Sequence, residues 1–319
     1  MAANISNMIE QPLYAVIDLG SNSFHLLIVR QIDGNITVVE KIKRKVRLAS
    51  GLDENNNLSN EAIARGLDCL ILFAEYLKNI STNNICIVAT ATLRIAINRQ
   101  QFIDAANKIL PTPIKLLTGE QEAETIFLGA TYSKNTHCKQ LVLDIGGAST
   151  ELIIGENSNA KKVSSLNLGC VSFRQKFFTD DTLTLENFNQ AITKASHIIL
   201  PISAEYKAIG WQNVVGSSGT MQALAEILYS RSLPITITFD FLEQVKQSLI
   251  CCQHIDNICK NDDFNGLRAD RIPVLASGLA ILIALFNCLN IENLQLSTGA
   301  LREGLLHKIL TNTDIINPP

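Results

Sequence analysis

The sequence predicts an α/β protein of two related domains that face each other across a cleft. The stretch YAVIDLGSNSFHLLIVR at 14–30 returns as QLVLDIGGASTELIIGE at 140–156, with Asp18 and Asp144, Gly20 and Gly146, and Ser23 and Ser149 in step at an offset of 126 residues. In each copy, apolar strand patterns flank a small-residue turn, and amphipathic helical patterns follow. A length of 319 residues suffices for about two domains, each with its own core.

The first half reads in order as follows. Residues 14–49 form a three-strand meander in which FHLLIV is rich in large apolar and β-branched residues, Asp33-Gly34 is a hairpin turn, and ITVVEKIKRKVRLA alternates in part. This arrangement differs from a dinucleotide-binding turn, where glycines open a helix rather than join two strands. Residues 59–79 form a helix, capped by Ser59, with Glu61 at its positive end and Ile63, Leu67, Leu70, Ala74 and Leu77 at helical spacing. ICIVAT at 85–90 is a buried strand leading into ATLRIAIN, and a second helix near 98–110 stops at Pro111 and Pro113. Thr118 with Gln121 makes a capping box that opens a helix through Ala130.

The second half repeats the plan: LVLDIGG, ELIIGE and KKVSSLNLG supply strands, and helices follow, broken by the strand VVG at 214–216 and its turn GSSGT. Symmetry, rather than a linker, places the boundary near 124, giving domains 1–124 and 125–319. The apolar run from Ile272 to Phe286 is shorter than the ~20 residues that cross a bilayer and is interrupted by Ser277 and Gly278, so it reads as a buried helix.

Composition narrows the function. With 47% hydrophobic and 18% charged residues the chain is globular, and a net charge of −3 leaves no footprint for nucleic acid, so an anionic ligand must be met by local cations. The N-terminus lacks the basic start and apolar run of a secretory signal, which points to the cytoplasm and away from a membrane. Eight cysteines include no CxxC; Cys251, Cys252, His254 and Cys259 fall on an amphipathic helix pattern without a second ligand pair.

The repeated turns carry the chemistry. A tight turn of small residues aims successive backbone N–H groups into a concavity that suits phosphate oxygens. Gly20, Ser21, Asn22 and Ser23 form one such cradle, and Gly146, Gly147, Ala148 and Ser149 the other. Single turns of this kind are ordinary β-turns; duplication in register favours two facing phosphate grips. Asp18 and Asp144 at the mouths suit magnesium, which combines carboxylates, waters and substrate phosphates. At the eighth position the copies differ: Glu151 should emerge on the face of Ser149, toward the cleft, whereas His25 reads as a satisfied core or surface histidine.

Hydrolysis of a phosphoanhydride needs an oriented water, a base and cations over the transferring group. Glu120, Glu122 and Glu124 begin one helix, whose dipole accounts for acidity there and should leave such a carboxylate ionised. Arg94 follows a strand and suits bidentate phosphate contact. The run of Lys41, Lys43, Arg44, Lys45 and Arg47 reads equally as a solvated strand face or an anion-collecting rim. Gly216, Ser217, Ser218, Gly219 and Thr220 sit between a strand and a helix, a third anion or nucleoside site, and Arg268 and Arg271 precede the buried helix.

Taken together, DLGSNSFHLL, IKRKVRLASGL, ATATLR, TGEQEAET, DIGGASTEL, GSSGTMQAL, the Arg271 to Gly278 spacing and GALREGL resemble the exopolyphosphatase/guanosine pentaphosphate phosphohydrolase family over residues 12–310. The resemblance implies two actin-like (ribonuclease H-like, sugar-kinase-like) domains around a central cleft, and IKRKVRLA, ATATLR and DIGGASTE look closest to the branch that removes the terminal phosphate of pppGpp to give ppGpp. It implies Glu122 as the catalytic glutamate, Glu151 closing the second phosphate loop beside the metal, Asp18 and Asp144 as magnesium-linked aspartates, Arg94 as a phosphate contact, and Arg271 ahead of Arg268.

Two departures bear on substrate. Family members often read GGG where this chain has Gly146-Gly147-Ala148, and longer relatives carry a C-terminal HD-type helical region that the sequence, ending at Pro319, is expected to lack. Short polyanions are therefore expected over long processive chains: pppGpp first, with short or medium inorganic polyphosphate as the alternative. The other readings of such a fold are a small-molecule kinase, which phosphate release without an acceptor would argue against, and an ATP-driven clamp or filament protein, which predicts nucleotide-dependent assembly and little multiple turnover. The apolar C-terminal helices could also pair two chains as a homodimer.

Overall fold

The computed structural model describes residues 11–32, 35–131 and 138–311. In the first lobe β1 (Leu13–Leu19) runs antiparallel to β2 (Ser23–Ile32), and β2 to β3 (Asn35–Lys45). The Asp33-Gly34 turn lies outside the described residues. Helix α1 (Asn60–Leu77) starts where expected, the Ser59 hydroxyl accepting the Ala62 N–H at 3.2 Å, and turns Ile63, Leu70, Phe73 and Leu77 inward. Strand β4 (Ile85–Ala89), wholly buried, is parallel to β1. ATLRIAIN folds into the short helix α2 (Ala91–Ile95), and α3 (Arg99–Ala106) is shorter than its sequence pattern. The Asn107 side chain accepts the Ile114 N–H at 3.0 Å and draws the chain out of helical geometry before the prolines. Strand β5 (Lys115–Leu116) completes the sheet, and α4 (Gly119–Thr131) crosses to the second lobe.

That lobe repeats the three-strand opening with β6 (Gln140–Ile145), β7 (Thr150–Glu156) and β8 (Asn159–Leu166). Then come α5 (Cys170–Phe177), α6 (Leu185–Ile209), β9 (Asn213–Ser217) and α7 (Ser218–Ser230). The chain continues through β10 (Thr236–Thr238), α8 (Phe239–Cys252), α9 (Ile272–Leu289), β11 (Asn293–Leu296) and α10 (Leu301–Leu310). The first sheet is ordered β3-β2-β1-β4-β5 and the second β8-β7-β6-β9-β11-β10. The duplication is thus structural: each sheet opens with an antiparallel meander and continues from its first strand into parallel neighbours.

Helix α9 is long and apolar enough to span a membrane, but most of it is buried in the core of the second lobe, against α5, α6 and α8. Helix α10 returns to the first lobe and packs on α4 and β1. Only glycine permits that approach: a Cβ at Gly129 would lie 1.9 Å from the Ala300 carbonyl oxygen, and one at Gly304 would lie 1.9 Å from that of Thr125. A shared core results, joining Val16, Leu27 and Val88 of the first sheet, Val142, Ile153 and Val215 of the second, and Leu301, Leu305 and Leu306 of α10.

Candidate active site

The two small-residue turns meet. A Cβ on Gly147 would lie 2.8 Å from Ser21 Cβ and 3.5 Å from the Asn22 nitrogen, so the loops touch across the lobes. Each is fixed by its own lobe. The Arg47 and Ala49 amides donate to the Asn22 and Ser21 carbonyls at 2.9 Å, and the Cys170 and Val171 amides donate to those of Gly146 and Gly147 at 3.0 and 2.9 Å. Between them opens a cleft of about 200 Å³ whose walls include Asp18, Gly20 to Ser23, Asp144, Gly146, Gly147 and Ser149.

Glu122 enters this cleft from the first turn of α4. The capping box positions it: the Gln121 amide donates to the Thr118 hydroxyl at 3.1 Å, and the Thr118 amide to the Gln121 side chain at 3.0 Å. Of the three glutamates only Glu122 is buried, at 7% exposure; Glu120 and Glu124 face solvent. Arg94 Nη1 donates to Glu122 Oε2 at 2.5 Å and to the Leu117 carbonyl at 3.2 Å, while its Nη2 stands 4.0 Å from Glu151 Oε1. Glu151, opposite Asp144 in register, is 1% exposed and accepts the Ser165 hydroxyl at 2.8 Å. Arg94 and Glu151 stand behind Glu122 rather than in the cleft wall.

Burial, and then the Glu151 carboxylate, hold Glu122 well above the usual carboxylate range against the pull of Arg94. The direction is opposite to the lowering expected from the helix dipole. A dipole contributes about 0.3–1 kcal/mol, which is less than the desolvation of a fully enclosed carboxylate costs. Burial also pushes Asp144 up to about 6, against the hydrogen bond it accepts from Ser217, and raises Glu151, with Asp144 adding to the effect.

His25 departs from its expected role. It pairs with Asp18 in register as Glu151 pairs with Asp144, lines the cleft, and places Nδ1 3.4 Å from Asp18 Oδ2. Burial keeps it below the ordinary histidine range. Hairpin register, rather than residue type, decides this placement.

The GSSGT turn forms the far wall through Ser218, Gly219 and Thr220. Ser218 adopts φ +80°, a strained conformation for a non-glycine residue. The Arg271 guanidinium lies over this loop, so that a Cβ on Gly219 would come within 2.1 Å of Nη1, and its Nη2 donates to Gln222 at 2.8 Å. Arg268, half exposed, pairs instead with Glu226 and Asp270 at 3.3 and 3.2 Å. Other predicted residues stand aside: Gly216 faces Leu294 and Met221 within the sheet, Ala148 packs on Gly169, and Ser217 touches Asp144. Sequence reasoning passed over Arg302, which lines the cleft from the GALREGL segment, and Asp270, whose partner is distant in the chain.

Five buried polar atoms of residues lining this cleft have no hydrogen-bond partner among the described residues: the hydroxyls of Ser23, Ser218 and Thr220, His25 Nδ1 and Arg271 Nε. Buried polar groups are nearly always satisfied, so their concentration in one cavity marks a surface built for a polar ligand.

The chain is 49% identical over 306 residues to the guanosine-5'-triphosphate,3'-diphosphate pyrophosphatase of Vibrio cholerae, covering 96% of this chain and 61% of that protein. It is 50% identical over 299 residues to the protein of that name from Vibrio parahaemolyticus, covering 94% and 59%. The chain thus spans about three fifths of the length of these relatives. Its fold matches that of an exopolyphosphatase from Cytophaga hutchinsonii (TM-score 0.83, 21% identity, 96% of this chain and all of that one). It also matches the Aquifex aeolicus PPX-GPPA enzyme (TM-score 0.74, 23% identity, 92% and 98%). The two-domain actin-like architecture is therefore established, and since the family model described as "Ppx/GppA phosphatase family" matches residues 27–313, the chain belongs to the Ppx/GppA phosphatase family.

Proposed function

We propose that this protein is a phosphoanhydride hydrolase that converts pppGpp and water to ppGpp and phosphate. The observation that carries the proposal is the set of five unpartnered polar atoms on residues of a cleft that also holds a buried glutamate of raised proton affinity. The printed name of the relatives, guanosine-5'-triphosphate,3'-diphosphate pyrophosphatase, supports pppGpp as the phosphoanhydride.

In this reading the Gly20–Ser23 and Gly146–Ser149 loops, with Ser218, Thr220 and Arg271, grip the phosphate chain. Glu122 orients a water toward the terminal phosphorus and takes its proton on the carboxylate; the new O–P bond forms as the anhydride P–O bond breaks. A base acts best when its pKa lies near the working pH, which burial of Glu122 favours. Arg94 fixes the carboxylate, and Glu151, held by Ser165, sets the charge around it.

Magnesium fits the donor set. Asp18 and Asp144 both line the cleft, and the Asp18 charge raises Asp144, a repulsion that a cation between them would relieve. Among the described residues no cluster of three or more ligands stands ready, but magnesium needs only one or two carboxylates beside water and phosphate. When bound it would neutralise charge on the substrate's terminal phosphates.

A volume of about 200 Å³ is below the ~300–1,000 Å³ of sites that enclose whole drug-sized ligands, so the nucleoside end would lie outside this cavity. Short polyphosphate is the second substrate class, because the described contacts address phosphate rather than a base. Phosphate release from pppGpp, GTP and tripolyphosphate, with and without magnesium, tests the assignment: preference for pppGpp supports it, and release from none of them rejects it.

A further inference from the structure

We propose that Lys43 binds a second phosphate group of the substrate, one remote from the bond that breaks, and that Asp270 holds the Lys43 ammonium at the cleft mouth until that group arrives. The proposal rests on the hydrolase reading for its substrate class. It is carried by one contact: Lys43 Nζ donates to Asp270 Oδ2 at 2.9 Å across 227 residues of chain, from β3 of the first lobe to the segment before α9 of the second.

Lys43 stands opposite His25 in the β2–β3 register, so its side chain shares the cleft face of that strand pair, and it lines the cavity itself. Both partners remain within reach of solvent, at 29% and 28% exposure. Asp270 also meets Arg268 at 3.2 Å, and Arg271 follows it in sequence. Lys45 lies near the same carboxylate and the same arginines. Four cations thus gather about one aspartate, and Glu226, the other acid near them, is engaged by Arg268.

The same cleft also holds carboxylates: beyond burial, Glu151 and Asp18 raise the proton affinity of Glu122, Asp18 that of Asp144, and Asp144 that of Glu151. A cleft that holds carboxylates for metal and water and a separate gathering of cations around Asp270 suits a substrate with more than one phosphate group. A partly exposed ion pair is worth only about 0.2–1 kcal/mol, so a phosphate of higher charge displaces Asp270 from Lys43 readily. The 3'-diphosphate of a guanosine nucleotide is such a group.

The alternative is a strut that merely ties the lobes, and the two roles predict different signs. Titration calorimetry of the full chain with ppGpp and with GDP, at fixed magnesium, compares wild type, Lys43→Met and Asp270→Asn, each checked by thermal melting. Lys43→Met should weaken ppGpp about tenfold, equivalent to about 1.4 kcal/mol, while GDP, which lacks the 3' group, changes less than twofold. Asp270→Asn should tighten ppGpp about threefold. Weakening by both substitutions, equal weakening of ppGpp and GDP by Lys43→Met, an unchanged ppGpp affinity, or no binding of either nucleotide to wild type overturns the proposal. Wild type that shows the expected affinities yet releases no phosphate from pppGpp refutes the hydrolase reading alone.

Discussion

Glu122→Gln separates water activation from phosphate grip. Glutamine keeps the volume of the side chain and an oxygen that can accept from Arg94 Nη1, which lies 2.5 Å from Oε2, so the packing at the start of α4 is retained. What disappears is a proton acceptor in a site where burial has raised its affinity for the proton. General-base catalysis contributes about 10²–10⁴-fold, so turnover of pppGpp should fall at least about 100-fold, or about 2.7 kcal/mol of barrier. Affinity, set by the loops and Arg271, should stay within about threefold. Removing a buried charge should leave the melting temperature equal or higher. The acid limb of the activity profile, where Glu122 becomes protonated as pH falls, should vanish in the variant. Single-turnover phosphate release paired with calorimetric affinity reads all of this. A fall below tenfold, or parallel losses in binding and turnover, refutes the base assignment.

Four further outcomes follow from the same geometry. Arg94→Lys keeps charge but loses the fork that spans Glu122 and the Leu117 carbonyl, and should cost about tenfold in turnover by stopped-flow phosphate release. Ser218→Gly relieves a φ of +80° worth about 1 kcal/mol, so calorimetry should show a melting temperature raised by roughly 2 °C. Gly304→Ala drives a methyl against the Thr125 carbonyl and should destabilise by about 3 kcal/mol, lowering the midpoint by roughly 6 °C. In chelator, stability should fall as pH rises from 4 through 7. Asp144 releases its proton near 3.8 unfolded but at about 6 folded, so the folded state holds more protons in that window, a difference of about 3 kcal/mol once both states are ionised. Melts of Asp144→Asn between pH 5 and 8 should be flatter than those of wild type.

The duplicated turn made the paired cradles, Asp18, Asp144 and the strand–turn–strand plan legible before any coordinates, because a repeat in register reports on local backbone geometry. The capping box fixed where α4 begins. It could not say which of Glu120, Glu122 and Glu124 points inward, since that depends on the face presented to β7 and β8. His25 was misread because its neighbour is set by hairpin register rather than by residue type. The Asp270 partner of Lys43 and the cleft position of Arg302 were invisible for a related reason: both depend on lobe packing across long chain separations. The upward shift of Glu122 was missed because a dipole is readable from sequence and burial is not.

The return of α10 to the first sheet has a consequence for synthesis. Lys308 reaches Thr125 across 183 residues, a span that a ribosome takes roughly 10–40 s to translate. Through that interval the faces of Val16, Leu27 and Val88 that α10 will share have no permanent cover, and the nascent amino-terminal half presents them to solvent. Release of chains stopped short of residue 300 should therefore yield a chaperone client rather than a free-standing domain.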